Sequence, residues 1–187
     1  MGDCLTLVGL IADTHIPDRV AALHPDILPV FRDARVSAIL HAGDVSIPQV
    51  LSQLGQIAPV YAVRGNRDIY RLRHLPMSCL LNFGGVPVGL VHGQGNLWFY
   101  LYEKVKIFIV GYRLEFYLPF LFRTFPQAQA IVFGHSHMPM IRWVQDKLII
   151  NPGSASCPTE EHLPSVGLLR IEAGEISGEL VWLRNKK

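Results

Sequence analysis

The sequence predicts an α/β fold in which functional groups collect along the C-terminal edge of a parallel sheet. Three observations carry the prediction. Short apolar runs alternate with stretches of helical periodicity through the first third of the chain. Each run stops on a small, acidic, imidazole or amide residue. The 187 residues, half of them apolar and 17% charged, suffice for one well-filled core but hardly for two. A single domain spanning 1–187 is therefore expected.

The first run, Leu5–Ala12, is uncharged, as a strand buried on both faces requires, and it stops at Asp13-Thr14-His15. In extended backbone Asp13 and His15 share one side and Thr14 takes the other. A carboxylate oxygen and an imidazole nitrogen then face a common point, which suits a divalent metal. Alone, such a pair more often caps the next element or ties down a loop. From Ala21 to Asp33, Leu23, Ile27, Leu28 and Phe31 recur at helical spacing, with Pro25 and Pro29 making a short or bent helix over one sheet face. Val36–His41 is a second apolar strand, closed by His41-Ala42-Gly43-Asp44. A short helix from Ile47 to Gly55 follows, and Pro59 opens a third strand, Val60–Val63, that ends in Arg64-Gly65-Asn66-Arg67-Asp68. Strands and helices alternating at this spacing mean parallel strands joined by crossovers, which makes the three strand ends neighbours.

Ser78–Phe83 and Val86–Val91, joined by Gly84-Gly85, read as a hairpin whose second strand ends in His92-Gly93. Ala130–Phe133 stops at Gly134-His135-Ser136-His137, where alternation again sends both imidazoles to one side. Ile141–Val144, Leu148–Asn151, Val166–Ile171 and Ile176–Leu183 are strands joined by polar turns and suggest a second sheet. The segment 97–125 stands apart as an aromatic-rich helical insertion with few charges. Its uncharged runs fall short of the ~20 residues that a bilayer span needs. Helices buried against the sheet are the plain reading. A homo-oligomer interface and a peripheral membrane or lipophilic-substrate contact are the alternatives.

A formal net charge of +2 without a long basic run leaves no nucleic-acid footprint, although Arg64, Arg67, Arg71 and Arg73 cluster locally. Cys4, Cys79 and Cys157 share no close spacing, and no secretory pattern is read ahead of Asp13. Reduced thiols in a cytoplasmic protein are expected.

Together the strand ends supply Asp13, His15, Asp44, Asn66, His92, His135 and His137. These oxygen and nitrogen donors, with no thiol among them, are too many for one tetrahedral zinc. They suit two adjacent divalent transition metals sharing a carboxylate, manganese first, with iron, zinc, cobalt and nickel as alternatives.

The ordered set Asp13-Thr14-His15, Gly43-Asp44, Gly65-Asn66-Arg67-Asp68, His92-Gly93 and Gly134-His135-Ser136-His137 resembles the motifs of the calcineurin-like metallophosphoesterase superfamily. Asn151-Pro152-Gly153-Ser154 resembles its small bacterial and archaeal phosphodiesterase branch. The resemblance covers roughly Leu5 to Ser156. It implies a four-layer α/β/β/α sandwich of two mixed sheets and a dinuclear phosphodiesterase that hydrolyses small phosphate esters by attack of a metal-bridging hydroxide. It further implies that Asp13, His15 and His137 hold one metal, that Asn66, His92 and His135 hold the other, and that Asp44 bridges. Asp44, Asn66, Arg67 and His92 are then the expected catalytic residues, with His41 and Asp68 as candidates for orienting the ligand imidazoles from behind.

One position departs from the family pattern. Many relatives have a His after the Asn of the third motif, and the small branch often a Cys; here it is Arg67. A guanidinium keeps its proton far above neutral pH, so Arg67 is expected to bind a phosphate oxygen rather than to protonate a leaving group, with a salt bridge to Asp68 as the alternative. Loss of the acid favours esters with good leaving groups, such as aryl phosphodiesters and pyrophosphate-type linkages. Two other functions fit the same resemblance. One is a protein-interaction scaffold, like the small phosphoesterase-like subunit of the retromer coat; the other, suggested by 97–125, is hydrolysis of a lipid-linked phosphate or pyrophosphate.

Overall fold

The computed structural model describes residues 5–95, 97–156 and 162–184, and gives two five-stranded sheets packed face to face between helices. Strand β1 (Thr6–Ile11) leads through α1 (Ile27–Asp33) to β2 (Ala38–His41), and α2 (Pro48–Leu54) leads on to β3 (Val60–Ala62). These three strands are parallel. The second sheet starts with the hairpin of β4 (Ser78–Phe83) and β5 (Val86–Val91). After α3 (Leu97–Val110), a 3-10 turn at Leu114–Phe116 and α4 (Leu118–Thr124), it continues with β6 (Ala130–Phe133), β7 (Met140–Val144) and β8 (Lys147–Asn151). Its order is β4-β5-β6-β8-β7, with β5, β6 and β8 parallel and the edge strands antiparallel. Strands β9 (Ser165–Glu172) and β10 (Glu175–Trp182) return to the first sheet, whose order is β10-β9-β1-β2-β3.

The last four strands therefore do not make a sheet of their own, as their hairpin pattern suggested. β7 and β8 complete the sheet of β4–β6, and only β9 and β10 join β1. Alternation within a hairpin reveals its own two partners; the strand it docks on is chosen by the pairs β6–β8 and β1–β9, which leave no local signal.

The continuous apolar runs are explained by cover on both faces. Leu10, Leu40, Leu90, Val132 and Ile150 meet between the sheets. Their neighbours Ile11 and Ile39 face outward onto Ile27 and Phe31 of α1 and Val50 and Leu54 of α2. Ile131 and Ile149 pack under Leu114, Tyr117, Leu121 and Phe125. A strand with helices on one side and a sheet on the other has no polar face to show. Small residues admit the covering rings: a Cβ at Gly9 would lie 2.9 Å from Phe31, and one at Gly89 2.6 Å from Phe125.

The first helix is shorter than the span 21–33 expected for it. Pro25 lies just ahead of the cap residue Asp26, and the residues before it run as turns; Pro29 is tolerated because it falls in the first helical turn. The insertion divides into two unlike halves. Tyr117 and Leu121 are fully buried, whereas α3 exposes Trp98, Val105, Phe108 and Ile109. No described helix is long and apolar enough to cross a membrane. Cys79 is a free, half-buried thiol; Cys4 and Cys157 lie outside the described residues.

Candidate metal centre

The C-terminal ends of the two parallel trios meet, one from each sheet. β1, β2 and β3 deliver Asp13 and His15, Asp44, and Asn66; β5 and β6 deliver His92, and His135 and His137. The sheets are joined here by a hydrogen bond from the His135 backbone N–H to Asp13 Oδ2 (3.0 Å). A further link between them runs from His92 Nδ1, past the end of β5, to the Ala42 carbonyl, past the end of β2 (2.7 Å).

The convergence does not arise from strand alternation. Asp13, His15, Asp44, His135 and His137 all have left-handed backbone, with φ of 53°, 48°, 53°, 69° and 58°. Non-glycine residues adopt this region at a cost, and such strain concentrates where a site requires it. Nor do the two imidazoles of Gly134-His135-Ser136-His137 share one side. His137 Nε2 lies 3.1 Å from His15 Nε2 and 3.4 Å from Asp13 Oδ1, while the ring of His135 stands 5.1 Å from that of His92. The structure brings these residues near one another, but not through the strand alternation expected of them. Consecutive left-handed turns, not extended chain, aim them.

Hydrogen bonding around the centre leaves acceptors facing acceptors. Asp13 Oδ2 is occupied by the His135 amide, yet Oδ1 and His15 Nδ1 are buried with no hydrogen-bond partner among the described residues. His92 Nδ1 donates to the Ala42 carbonyl (2.7 Å), so a neutral ring presents a lone pair at Nε2, 3.2 Å from Asn66 Oδ1. Asp44 spans the gap, with Oδ2 3.8 Å from His15 Nδ1 and Oδ1 3.5 Å from His92 Nε2. Lone pairs in mutual contact inside a buried pocket are unfavourable unless a cation lies among them. Two groups, Asp13–His15–His137 and Asp13–Asp44–His92, each have one ligand atom per residue within 4.8 Å of the others. The donor set thus fits metal ions, and its mixture of imidazole, amide and carboxylate is the kind that takes transition metals.

The electrostatics agree. Burial pushes the Asp13 carboxyl up, but His137, His92 and His15 outweigh it and hold it at about 2. Burial raises the Asp44 carboxyl above its ordinary value, with Asp13 adding to the rise and His92 opposing it. Desolvation lowers His15 to about 4 against the pull of Asp13, which keeps its ring neutral and able to ligate at neutral pH.

The supporting shell differs from expectation in detail. His41 Nε2 meets Thr14 Oγ1 (3.2 Å) rather than a ligand imidazole. Asp68 ties down backbone, accepting from the N–H groups of Ser46 (2.7 Å), Gly65 (2.9 Å) and Val45 (3.3 Å). That use of Asp68 removes the alternative for Arg67: among the described residues no ion pair joins the two. The Arg67 backbone N–H donates to Asp44 Oδ1 (2.8 Å), and its side chain is exposed and lines an open cleft of about 600 Å³ that also contains Asn66.

Three contributors escaped the sequence reading. Asn151 Nδ2 donates to the Gly134 carbonyl and to Ser136 Oγ (both 3.0 Å), and Ser154 Oγ donates to the Asp13 carbonyl (2.8 Å). The motif Asn151-Pro152-Gly153-Ser154 thereby clamps both metal-facing loops, a role its position just past β8 could have signalled. Tyr100 of α3 places its ring 5.8 Å from that of His135; one Tyr in an aromatic helix carried no such signal.

Comparison with known proteins bears on the family and the fold. The family described as "Calcineurin-like phosphoesterase superfamily domain" matches residues 7–174. A protein of Methanothermobacter thermautotrophicus named "Probable metallophosphoesterase" is 34% identical over 178 residues, covering 94% of this chain and 91% of the relative. A protein of Methanocaldococcus jannaschii named a phosphodiesterase is 24% identical over 171 residues, covering 90% of this chain and 95% of its own. Among solved structures, vacuolar protein sorting 29 from Cryptosporidium parvum superposes with a TM-score of 0.71 at 20% identity, covering 95% of this chain and 97% of that one, a likeness of fold. The chain belongs to the calcineurin-like phosphoesterase superfamily, on the side of its small archaeal and bacterial members.

Proposed function

We propose that this chain is a metal-dependent phosphodiesterase acting on small phosphate esters. The observation that carries the reading is the gathering of ligand atoms at the sheet junction, where the buried Asp13 Oδ1 and His15 Nδ1 have no hydrogen-bond partner among the described residues and His92 Nε2 opposes Asn66 Oδ1. Asp13, His15 and His137 would hold one divalent transition metal, Asn66, His92 and His135 a second, and Asp44 would contribute an oxygen to each; manganese is the first choice. When bound, such a pair lowers the pKa of an attacking water and neutralises charge on the phosphoryl oxygens.

The remaining work falls to the chain. The Ala42 carbonyl fixes the His92 tautomer, and the Arg67 amide holds the Asp44 carboxylate in place. The Arg67 guanidinium, reaching into the cleft from the residue next to Asn66, orients the ester and takes up leaving-group charge.

A scaffold function is the second reading, favoured by the exposed apolar face of α3 and the fold shared with vacuolar protein sorting 29. The undegraded donor set supports hydrolysis over it. The test is turnover of bis-p-nitrophenyl phosphate by metal-stripped protein with and without added manganese. Metal-dependent hydrolysis is expected. Inactivity with manganese, iron, zinc, cobalt and nickel alike would favour the scaffold.

A further inference from the structure

The cleft beside the metal centre is built for more than one phosphate, and its lining names a substrate class. Resting on the hydrolase reading above, we propose that the substrate is a pyrophosphate diester bearing a planar aromatic group, a nucleoside diphosphate derivative. Its second phosphate lies on Arg67 and Arg71, and its ring on Tyr70.

Four observations lead there. The cleft begins at Asn66, one of the donors of the centre, and opens to about 600 Å³, a volume that accommodates a ligand of nucleotide size. Its charged lining is Arg67, Arg71 and a single carboxylate, Asp18. Asp18 accepts from Ser46 Oγ (3.3 Å), and among the described residues neither guanidinium has an ion-pair partner. Two exposed guanidiniums on one wall match a second phosphoryl group, which they can grip bidentately. Tyr70 stands 83% exposed on the same wall beside Ile69, 54% exposed, so that a ring and an apolar side chain lie open to a ligand in the cleft.

The fourth observation is chemical. Arg67 stands on the cleft wall next to Asn66, and a guanidinium does not give up its proton. An alkoxide leaving group needs that proton. A phosphate leaving group does not, because its conjugate acid has a pKa of about 6. In the reaction water's oxygen bonds to the phosphorus at the centre, the P–O–P bridge breaks on that side, and the bridging oxygen departs with the second phosphate onto Arg67 and Arg71. The water protons pass to solvent, and two phosphate monoesters result.

The experiment compares diadenosine diphosphate with bis-p-nitrophenyl phosphate as substrates of the manganese-loaded full chain, and measures ADP binding to the metal-free protein by calorimetry. The expected kcat/KM is at least about tenfold higher for the pyrophosphate. Arg71→Ala should reduce that preference about tenfold, mainly through KM, and weaken ADP binding by a similar factor; Tyr70→Ala should reduce both about fivefold. Both residues are exposed, so the variants retain the fold, which circular dichroism checks. Hydrolysis of bis-p-nitrophenyl phosphate without hydrolysis of diadenosine diphosphate overturns the substrate class and leaves the phosphodiesterase standing. So does an Arg71→Ala variant whose two activities fall by the same factor with ADP binding unchanged. Turnover of neither substrate with any of the metals removes both readings together.

Discussion

The sheet junction and α3 invert the usual distribution of residues. At the junction Asp13, His92 and Asn151 are fully buried; on α3, Phe108 is 91% exposed and Trp98 79%. The contrast teaches that burial follows pairing rather than polarity. The junction side chains are held by backbone groups and by one another, as in the Asp13 and Asn151 hydrogen bonds, and the atoms left over are those that fit metal ions, so they can leave water. Trp98 and Phe108 of α3 have no such obligation and stand largely in solvent, whereas Tyr117 and Leu121, a few residues on, have the second sheet beneath them.

Changes at the junction should be drastic and changes on α3 slight. The largest effect is expected from Asp44→Asn, which removes the carboxylate proposed to contribute an oxygen to each metal while keeping its shape; manganese-dependent turnover should fall on the order of a thousandfold in steady-state assays. Gly65→Ala comes next. A Cβ there collides with the Asp44 carboxylate and its backbone nitrogen, so activity should drop about a hundredfold with a loss of about 2–3 kcal/mol in urea unfolding.

Acid should act on the same region in the metal-free protein. Burial holds His41 at about 4 against its ordinary 6.5, with Asp68 opposing, and His15 behaves alike. A histidine whose folded pKa is lowered costs nothing above 6.5 and progressively more below it. Stability should therefore be full above pH 6.5 and decline as the pH falls to 4, by on the order of 3 kcal/mol for the fully buried His41, as thermal unfolding across that range would record. A flat profile would mean that these rings meet water.

Asn151→Ala should be milder, loosening the loop of Gly134-His135-Ser136-His137 and weakening metal uptake about tenfold by calorimetry. Smallest of all, Phe108→Ser on α3 should change stability by less than about 0.5 kcal/mol and leave turnover intact. An effect at Phe108 as large as at Gly65 would erase the contrast.

The same contrast explains what could be read in the sequence. Both faces of each central strand are covered, so Leu5–Ala12 and Ala130–Phe133 announce themselves as uncharged runs, and their polar ends mark the junction. The left-handed backbone at Asp13, His15, His135 and His137 was invisible, because alternation and a pair of turns can bring the same residues together. The destination of the C-terminal hairpins was also hidden, since β9 pairs with β1 across most of the chain. Tyr100 was unreadable for a different reason. On a helix apolar on nearly every side, no pattern distinguishes the ring that approaches His135 from those that face solvent.

The central claim is that the donors of the two sheets hold a pair of cations between them. Equilibrium dialysis of metal-stripped protein against manganese, followed by elemental analysis, measures this directly. Two ions per chain are predicted, with at least one lost in Asp44→Asn. No uptake by the unaltered chain, or two ions retained by the variant, would contradict the account.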